Sequence, residues 1–366
     1  EWNMPAKLGI LTLDPASRQD YFDQMAHESK QYGTDLYSFS PLDLLPGTQK
    51  AKGLHFDTTS GIWKEEVFQI PEFLYDRCFY GEDQPSKDAK KIVAWLKERK
   101  DLTFLGYGLP NKTALYDRLK EIPEISPYLP ETVRADSTET VLRELNKYLS
   151  IILKPANGAH GYAVYSLEKR TGGLLVRTTK NGSLISQNFG RLDKFQAWLN
   201  TLLGKHDFLI QARIDNMDRK NRPFDLRIFL QKDSRGEWQE VTRGIRTGME
   251  NGILTNLSAG ASLSTYGNWQ RETPHFNHVY ISQEISDIIS ILPAVLEETF
   301  QPLFELGIDL LIAGDQSIWI LDINSKPGRK MVSLLHPEKA GQMAEAPLAY
   351  CRYLQEIGNR VQAGNV

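Results

Sequence analysis

Apolar runs alternate with amphipathic stretches over the first hundred residues. The pattern predicts, in order, a strand at 7–13, a helix at 18–32, a strand at 35–39, a hairpin at 54–70, a strand at 72–80 and a helix at 86–100. Strands that alternate with helices typically pack into an open sheet covered by helices. We therefore predict a small open α/β domain over residues 1–108.

The periodicity breaks at 106–111, where Gly106, Gly108 and Pro110 stand close together. Beyond this break strands dominate, which indicates an α+β organisation. We predict a second domain over 109–211 and a third over 212–366. The predicted elements of these two domains are strands at 150–154, 162–167, 173–179, 183–187, 207–211, 224–232, 237–246, 308–313 and 317–323, and helices at 112–121, 137–148, 192–203, 282–304 and 339–357.

The stretch 307–328 holds the strongest chemical signal. A hairpin turn centred between Asp315 and Gln316 would place Asp309 directly opposite Asp322 on the neighbouring strand. Asn324 lies two residues beyond Asp322 and shares its face by strand alternation. The pattern therefore brings two carboxylates and one amide oxygen together.

Both strands of this hairpin are apolar around the two carboxylates, as buried strands are. Two facing carboxylates buried without partners would cost several kcal/mol each. A Mg²⁺ ion would remove that cost, because it prefers hard oxygen ligands. The alternative is a pair of carboxylates that form salt bridges with nearby arginines.

Two lysines stand where they could bind phosphate. Lys154 ends an apolar strand and precedes a loop with Gly158 and Gly161, whose backbone N–H groups could approach phosphates closely. Lys112 follows Asn111 at the start of a predicted helix. A plain surface turn and an exposed lysine in a first helical turn are the alternative interpretations.

Together these motifs resemble the ATP-grasp superfamily. Its metal-binding signature is similar to Asp309, then Asp322-x-Asn324, then Pro327-Gly328, and its glycine-rich loop to Lys154-Pro155 and the residues after it. The family usually has Glu where this chain has Asp322. The resemblance implies an N-terminal α/β domain and two ATP-grasp subdomains that enclose the nucleotide.

The resemblance also implies roles for individual residues. Lys112, Lys154, Gly158, Gly161 and Asn256 would bind the phosphates, Gln211, Ala212 and Arg213 the adenine, and Asp225 the ribose side; Asp309, Asp322 and Asn324 would hold one or two Mg²⁺ ions, with Mn²⁺ as a substitute. Arg246 would stabilise the transferring phosphoryl group, and Arg329 would meet a substrate carboxylate.

Within the superfamily, the chain most resembles the endospore coat-associated YheC/YheD-type group, which is related to RimK-like carboxylate–amine ligases. The resemblance rests on PEFLYDR (71–77), FDLRIFLQK (224–232), GILTNLSAG (252–260) and INSKPGRK (323–330). It implies an ATP-dependent ligase that joins a small-molecule or peptide carboxylate to an amine through an acyl phosphate. A small-molecule kinase and a non-catalytic nucleotide-binding spore-coat protein are the alternatives.

Net charge and the length of apolar runs limit the classes of partner that we expect. The chain has 366 residues and a net charge of -3, so we expect no nucleic-acid partner. Apolar runs are too short for a membrane span and the start lacks a signal-peptide pattern, so we expect a cytoplasmic protein and no membrane partner. Spore association is the further possibility that the resemblance adds. Oligomeric state stays open, with a homodimer among the alternatives.

Overall fold

The computed structural model describes residues 4–17, 20–157, 163–255, 257 and 260–362. In this part of the chain the strands form a first, a second and a third sheet, of six, six and five strands. Each sheet has its own buried apolar cluster. The predicted mixture of α/β and α+β organisation is confirmed.

The first sheet combines parallel strands with an antiparallel hairpin at one edge. Its strand order is β4-β3-β2-β1-β5-β6, in which β2, β1, β5 and β6 run parallel. Its elements are β1 (Ala6–Leu11), α1 (Asp20–Glu28), β2 (Thr34–Phe39), β3 (Lys50–Asp57), β4 (Ile62–Gln69), β5 (Phe73–Asp76), α2 (Gln84–Glu98) and β6 (Thr103–Phe104). Asp83 caps α2 by accepting a hydrogen bond from the Ser86 amide, which satisfies one of the free N–H groups of the first turn.

The second sheet is antiparallel throughout, in the order β11-β10-β9-β8-β12-β7. The elements of this part of the chain are α3 (Lys112–Leu119), β7 (Thr132–Arg134), α4 (Thr138–Tyr148), β8 (Ser150–Pro155), β9 (Tyr165–Arg170), β10 (Gly173–Lys180), β11 (Ser183–Phe189), α5 (Leu192–Leu203) and β12 (Phe208–Ala212). Helices α4 and α5 cover one face of this sheet with Val141, Leu145, Phe195 and Leu199, all buried.

The third sheet is also antiparallel, in the order β15-β14-β13-β16-β17. Strand β16, which lies between β13 and β17, is buried along its whole length, as its apolar sequence predicts. The elements are β13 (Phe224–Lys232), β14 (Trp238–Thr247), β15 (Ser262–Thr265), α6 (Tyr266–Glu272), α7 (His278–Thr299), β16 (Glu305–Ile312), β17 (Ile318–Asn324), α8 (Lys330–Leu335) and α9 (Ala340–Gln362).

Helix α7 covers one face of the third sheet. The residues that recur on one side of the helix, Ile281, Ile285, Ile288, Leu292 and Leu296, are fully buried in the core of this sheet. Among the described residues, α7 is the helix whose length and apolar content also suit a membrane span. Its packing against the sheet accounts for that composition.

Two helices cross the boundaries that the sequence predicted. Helix α3 belongs by sequence to the second predicted domain, yet Leu115 and Leu119 pack in the core of the third sheet. Helix α9 belongs by sequence to the third, yet Leu348 and Cys351 pack against Leu8 in the core of the first sheet. The covering helices thus pack across the predicted boundaries at 108 and 211, and these boundaries stay a prediction.

The packing of α9 predicts a stability difference between two leucines. Leu348 is fully buried and Leu334 on α8 is 59% exposed. We expect Leu348→Ala to lower the free energy of unfolding by about 2–5 kcal/mol, because it leaves a cavity. Leu334→Ala should change it by less than about 0.5 kcal/mol. Urea unfolding measures both, and equal losses would contradict the packing of α9 on the first sheet.

Candidate active site

A cavity of about 380 Å³ lies between the second and third sheets. One wall is formed by β8 and β12, and the opposite wall by β13, β14, β16 and β17. Ten of the residues that the sequence singled out line it: Lys112, Lys154, Gln211, Ala212, Arg213, Asp225, Arg246, Asp309, Asp322 and Asn324. Gly158, Gly161 and Asn256 lie outside the described residues.

The predicted pairing of Asp309 with Asp322 is confirmed, but the route to it differs from the prediction. Next to the turn, Ile312 pairs with Ile318, one residue out of step with a turn centred between Asp315 and Gln316. A β-bulge between the Asp309 and Leu310 positions of the ladder restores the register. Leu321 is the extra residue of this bulge.

The bulge brings a backbone carbonyl into the site. Because Leu321 has no ladder partner, its carbonyl accepts hydrogen bonds from the Tyr116 hydroxyl (2.7 Å) and the Lys154 ammonium (3.2 Å). The Tyr116 hydroxyl also accepts from Lys154 at 3.1 Å. Sequence reasoning missed Tyr116; its position four residues after Lys112 on α3, and so on the same helix face, was the available signal.

Two aspartates and two arginines on β13, β14 and β16 of the third sheet form a network of salt bridges. Arg246 donates to both oxygens of Asp225 (2.7 and 2.6 Å) and lies 2.8 Å from Asp309, which also binds Arg227 through both of its oxygens. Thr255 donates to Asp225 as well. Asp225 is fully buried and both of its oxygens are used, so in this structure it positions Arg246; the expected ribose contact would need these bonds to change.

Burial and pairing act in opposite directions on the pKa values of the two carboxylates. Burial raises the pKa of Asp309, but Arg227 and Arg246 outweigh that effect and hold it below its usual value. The pKa of Asp225 is raised, because its complete burial and the nearby Asp309 outweigh Arg246. Burial lowers the pKa of Arg246, and the two carboxylates more than reverse this. Arg246 is therefore a fixed positive charge.

Asp322 and Asn324 are held by a lysine and by a backbone amide rather than by arginines. The Lys112 ammonium donates to Asp322 at 3.0 Å, and both side chains remain partly exposed. The Asn324 side-chain oxygen accepts from the Lys326 backbone amide at 2.9 Å. Asn111 caps α3 by accepting from the Ala114 amide, which fixes the first turn that carries Lys112.

Lys154 is the buried cation of the opposite wall. Its pKa is lowered to about 7, chiefly by burial and next by the charge of Lys112, while Asp322 and Asp309 act in the opposite direction. Its ammonium has two neutral oxygen partners, the Tyr116 hydroxyl and the Leu321 carbonyl. An anion in the cavity would favour the charged form of Lys154.

At the end of β12, where adenine was predicted to bind, polar groups already form hydrogen bonds within their own sheet. Gln211 is buried and donates to the Thr132 hydroxyl at 2.7 Å. The backbone N–H of Arg213 donates to the Ser150 carbonyl at 3.0 Å. The Arg213 amide is thus already bonded within its own sheet, and the adenine contact of Gln211, Ala212 and Arg213 stays a prediction.

Arg329 does not line the cavity. Its guanidinium stacks on the Tyr21 ring at 3.7 Å and donates to Tyr21, Tyr75 and Glu305, at the contact between the first and third sheets. Burial lowers its pKa, and the two tyrosines and Glu305 more than reverse this. Arg329, which was predicted to meet a substrate carboxylate, therefore lies outside this cavity, where Tyr21, Tyr75 and Glu305 hold its guanidinium.

The charges that line the cavity favour a polyanion. Six cationic side chains and three carboxylates line it among the described residues. In the same part of the chain, no group of three or more His, Cys, Asp or Glu side chains is arranged to hold a metal ion. A divalent cation would therefore have two aspartates and an amide oxygen as protein ligands, a set that fits Mg²⁺ with phosphate oxygens and water completing its shell.

Three sheets in this order, with a cation-lined cavity between the last two, define the ATP-grasp fold. A family model described as YheC/D like ATP-grasp matches residues 101–354, and the chain belongs to that family. It is 35% identical over 347 residues to the endospore coat-associated protein YheC of Bacillus subtilis (strain 168), and the match covers 95% of each chain. It is 25% identical to YheD of the same organism, with 75% of this chain and 60% of YheD covered.

Solved structures share the fold. D-cycloserine synthetase DcsG matches with a TM-score of 0.54 and 11% identity, over 94% of this chain and 99% of that one. The ATP-grasp ligase PsnB, complexed with a minimal precursor, matches with a TM-score of 0.51 and 14% identity, over 95% and 100%. At these identities the likeness concerns the fold alone.

The lowered pKa of Lys154 predicts how nucleotide binding depends on pH. Bound phosphates favour the ammonium form, so ADP binding takes up a proton wherever free Lys154 is neutral. We expect the affinity for Mg-ADP to fall as the pH rises from about 7.5 to 9, by up to about tenfold per pH unit. Calorimetry in buffers of different ionisation enthalpy measures both effects.

Lys154→Arg is the matched control, because arginine stays charged throughout this range. Its affinity for Mg-ADP should be nearly independent of pH, with little proton uptake. An equal pH dependence in the wild type and in this variant would show that Lys154 is not the titrating group.

Proposed function

We propose that this chain is an ATP-dependent ligase that joins a carboxylate to an amine through an acyl phosphate. The observation that supports it most directly is the facing pair Asp309 and Asp322 in a cavity lined by an excess of cations. Such a cavity suits a nucleoside triphosphate with bound metal. The ATP-grasp fold provides the context in which that chemistry is expected.

Asp309, Asp322 and the Asn324 side-chain oxygen would hold one or two Mg²⁺ ions, with Mn²⁺ as a substitute. The metal would draw the phosphate oxygens together and neutralise their charge. Arg227 and Lys112, which now pair with the two carboxylates, are free to turn toward the phosphates once a cation takes their place. The carboxylates thus exchange one positive partner for another.

Lys112 and Lys154 would hold the phosphates from one side, and Arg246 would stand on the other. The substrate carboxylate attacks the γ-phosphorus, the bond to the bridging oxygen breaks, and ADP leaves. Arg246 stabilises the charge that spreads over the equatorial oxygens. Because Asp225 holds its guanidinium through two hydrogen bonds, this donor needs no reorganisation.

The amine then attacks the acyl carbon, and the bond from that carbon to the phosphate oxygen breaks. Phosphate leaves with the electron pair and the nitrogen loses a proton, which yields an amide. Neither step needs a covalent group on the protein, since positioning and charge neutralisation lower the barrier. Closure of the cavity would keep water from the acyl phosphate.

The names of relatives suggest where to look for substrates. One structural relative is an ATP-grasp ligase from Chryseobacterium gregarium, solved with ADP and a leader and core peptide. Peptides are therefore a reasonable first class of substrate to test here. Relatives named endospore coat-associated proteins make spore association a proposal to test beside a cytoplasmic location.

ATP turnover with pooled amino acids and short peptides tests the proposal. We expect release of ADP and phosphate that requires both a carboxylate and an amine, with a condensed product visible by mass spectrometry. Asp322→Asn should lower kcat by about 10²-fold or more, because it removes a charge that would hold the metal. Asp117→Asn, on the exposed side of α3, should leave kcat unchanged.

Other outcomes identify the alternatives. A stable phosphorylated product formed without any amine would indicate a small-molecule kinase. Binding of Mg-ATP with no turnover across the pool would favour a non-catalytic nucleotide-binding protein. Full activity in a folded Asp322→Asn variant would remove Asp322 from the metal site.

A further inference from the structure

Tyr116 lies behind the phosphate end of the cavity. It is four residues after Lys112 on α3, so the two side chains lie on the same side of that helix. Lys112 lines the cavity, whereas the Tyr116 side chain is almost fully buried. The proposed function uses Lys112 and Lys154 and gives the Tyr116 hydroxyl no role.

The Tyr116 ring packs on the second sheet, although other residues of α3 pack on the third. Tyr116 belongs to a small apolar cluster with Ala156, which follows β8, and Leu209 of β12. Leu115 and Leu119 of the same helix lie in the core of the third sheet. Helix α3 therefore contacts both walls of the cavity, and Tyr116 provides a contact with the wall that carries Lys154.

The Tyr116 hydroxyl joins the two walls by hydrogen bonds. It donates to the Leu321 carbonyl of β17 at 2.7 Å and accepts from the Lys154 ammonium of β8 at 3.1 Å. The ammonium in turn donates to the Leu321 carbonyl at 3.2 Å and lies 4.7 Å from the centre of the Tyr116 ring. Three groups from α3, β8 and β17 thus form a closed triangle of hydrogen bonds.

The protonation state of the phenol sets the direction of these bonds. Burial raises the pKa of Tyr116 well above its usual value, and the nearby Asp322 and Asp309 raise it further. The phenol therefore keeps its proton at neutral pH and donates it to the carbonyl. Its oxygen remains available to accept from Lys154.

The triangle determines where the Lys154 ammonium points. An ammonium has three N–H donors, and the Tyr116 hydroxyl and the Leu321 carbonyl accept two of them. Within the described parts of the chain Lys154 has no third hydrogen-bond acceptor. Because Lys154 lines the cavity, its third donor is available to a ligand there. Two anchors restrict rotation of the ammonium, so this donor keeps one direction.

We propose that Tyr116 is a positioning residue, whose hydroxyl holds the Lys154 ammonium in the direction that the phosphates of the nucleotide require. Through the Leu321 carbonyl it also ties Lys154 to the strand that carries Asp322. This inference rests on the proposed function, since it concerns a residue that would bind the phosphates. It adds to that function a group that lies outside the lining of the cavity.

Tyr116→Phe tests the hydroxyl, because phenylalanine keeps the ring and its apolar contacts. Lys154 and the Leu321 carbonyl can still bond to each other, so neither is left unpaired. We expect the affinity for Mg-ADP, measured by calorimetry at neutral pH, to fall by about fivefold or more, the equivalent of one hydrogen bond. Tyr128→Phe is the matched control: its hydroxyl donates to Glu284 outside the cavity, and its loss should leave the affinity unchanged.

A second background separates positioning from a general effect on the cavity. Lys154→Met removes the ammonium and keeps a long unbranched side chain. If the hydroxyl acts through Lys154, Tyr116→Phe should cause no further loss of Mg-ADP affinity in the Lys154→Met background, so the two effects should not add. Equal losses in both backgrounds would show that Tyr116 shapes the cavity as a whole, and the proposal would be wrong.

The pH profile of binding gives an independent readout. Burial and the charge of Lys112 lower the pKa of Lys154, while Asp322 and Asp309 raise it, and Tyr116→Phe leaves all of these in place. Because the hydroxyl accepts from the ammonium form, its loss should lower this pKa further. The pH above which Mg-ADP affinity falls should therefore drop by roughly half a unit or more. An unchanged profile would contradict the proposal.

Binding of Mg-ADP by the wild type separates this inference from the proposed function. If the wild type does not bind Mg-ADP, the proposed function fails and the inference fails with it. If the wild type and Tyr116→Phe bind Mg-ADP equally well, the inference is wrong and the proposed function stands. Urea unfolding checks the fold: Tyr116→Phe should shift the midpoint no more than Tyr128→Phe does. A Tyr116→Phe variant that does not fold would assign the hydroxyl to the stability of the chain and overturn the inference.

Discussion

The third sheet is organised around carboxylates that face each other in an apolar setting. Asp309 lies on a strand that is buried from end to end, opposite Asp322. Repulsion between them is relieved by Arg227, Arg246 and Lys112, which arrive from two neighbouring strands and from α3. The two carboxylates require positive partners, and these three cations contribute to the positive charge of the cavity.

The same pairs of carboxylates and basic side chains determine how the site would respond to a bound nucleotide. In the structure the carboxylates are held by basic side chains, so the charges that a nucleotide would meet are ordered beforehand. Metal and phosphate together would replace these internal pairs by equivalent external ones. Each carboxylate would then keep a positive partner at every stage, which keeps the exchange energetically accessible.

Much of this could be predicted from the sequence, because alternation and turn residues are local signals. The facing of Asp309 and Asp322 was predicted from strand periodicity and a turn centre, but in the structure it depends on the bulge at Leu321. That bulge and its contact with Lys154 could not be predicted, because a bulge depends on the competition between turn geometry and core packing. The position of Arg329 could not be predicted from the sequence either, since it depends on how the first sheet docks against the third.

The return of α9 to the first sheet has a consequence for synthesis. The strands of that sheet leave the ribosome early, but Leu8 finds its partners Leu348 and Cys351 near the end of the chain. Until those residues emerge, one apolar face of the first sheet stays uncovered and open to association with other chains. The first sheet, synthesised before the other two, is therefore among the last to be completed.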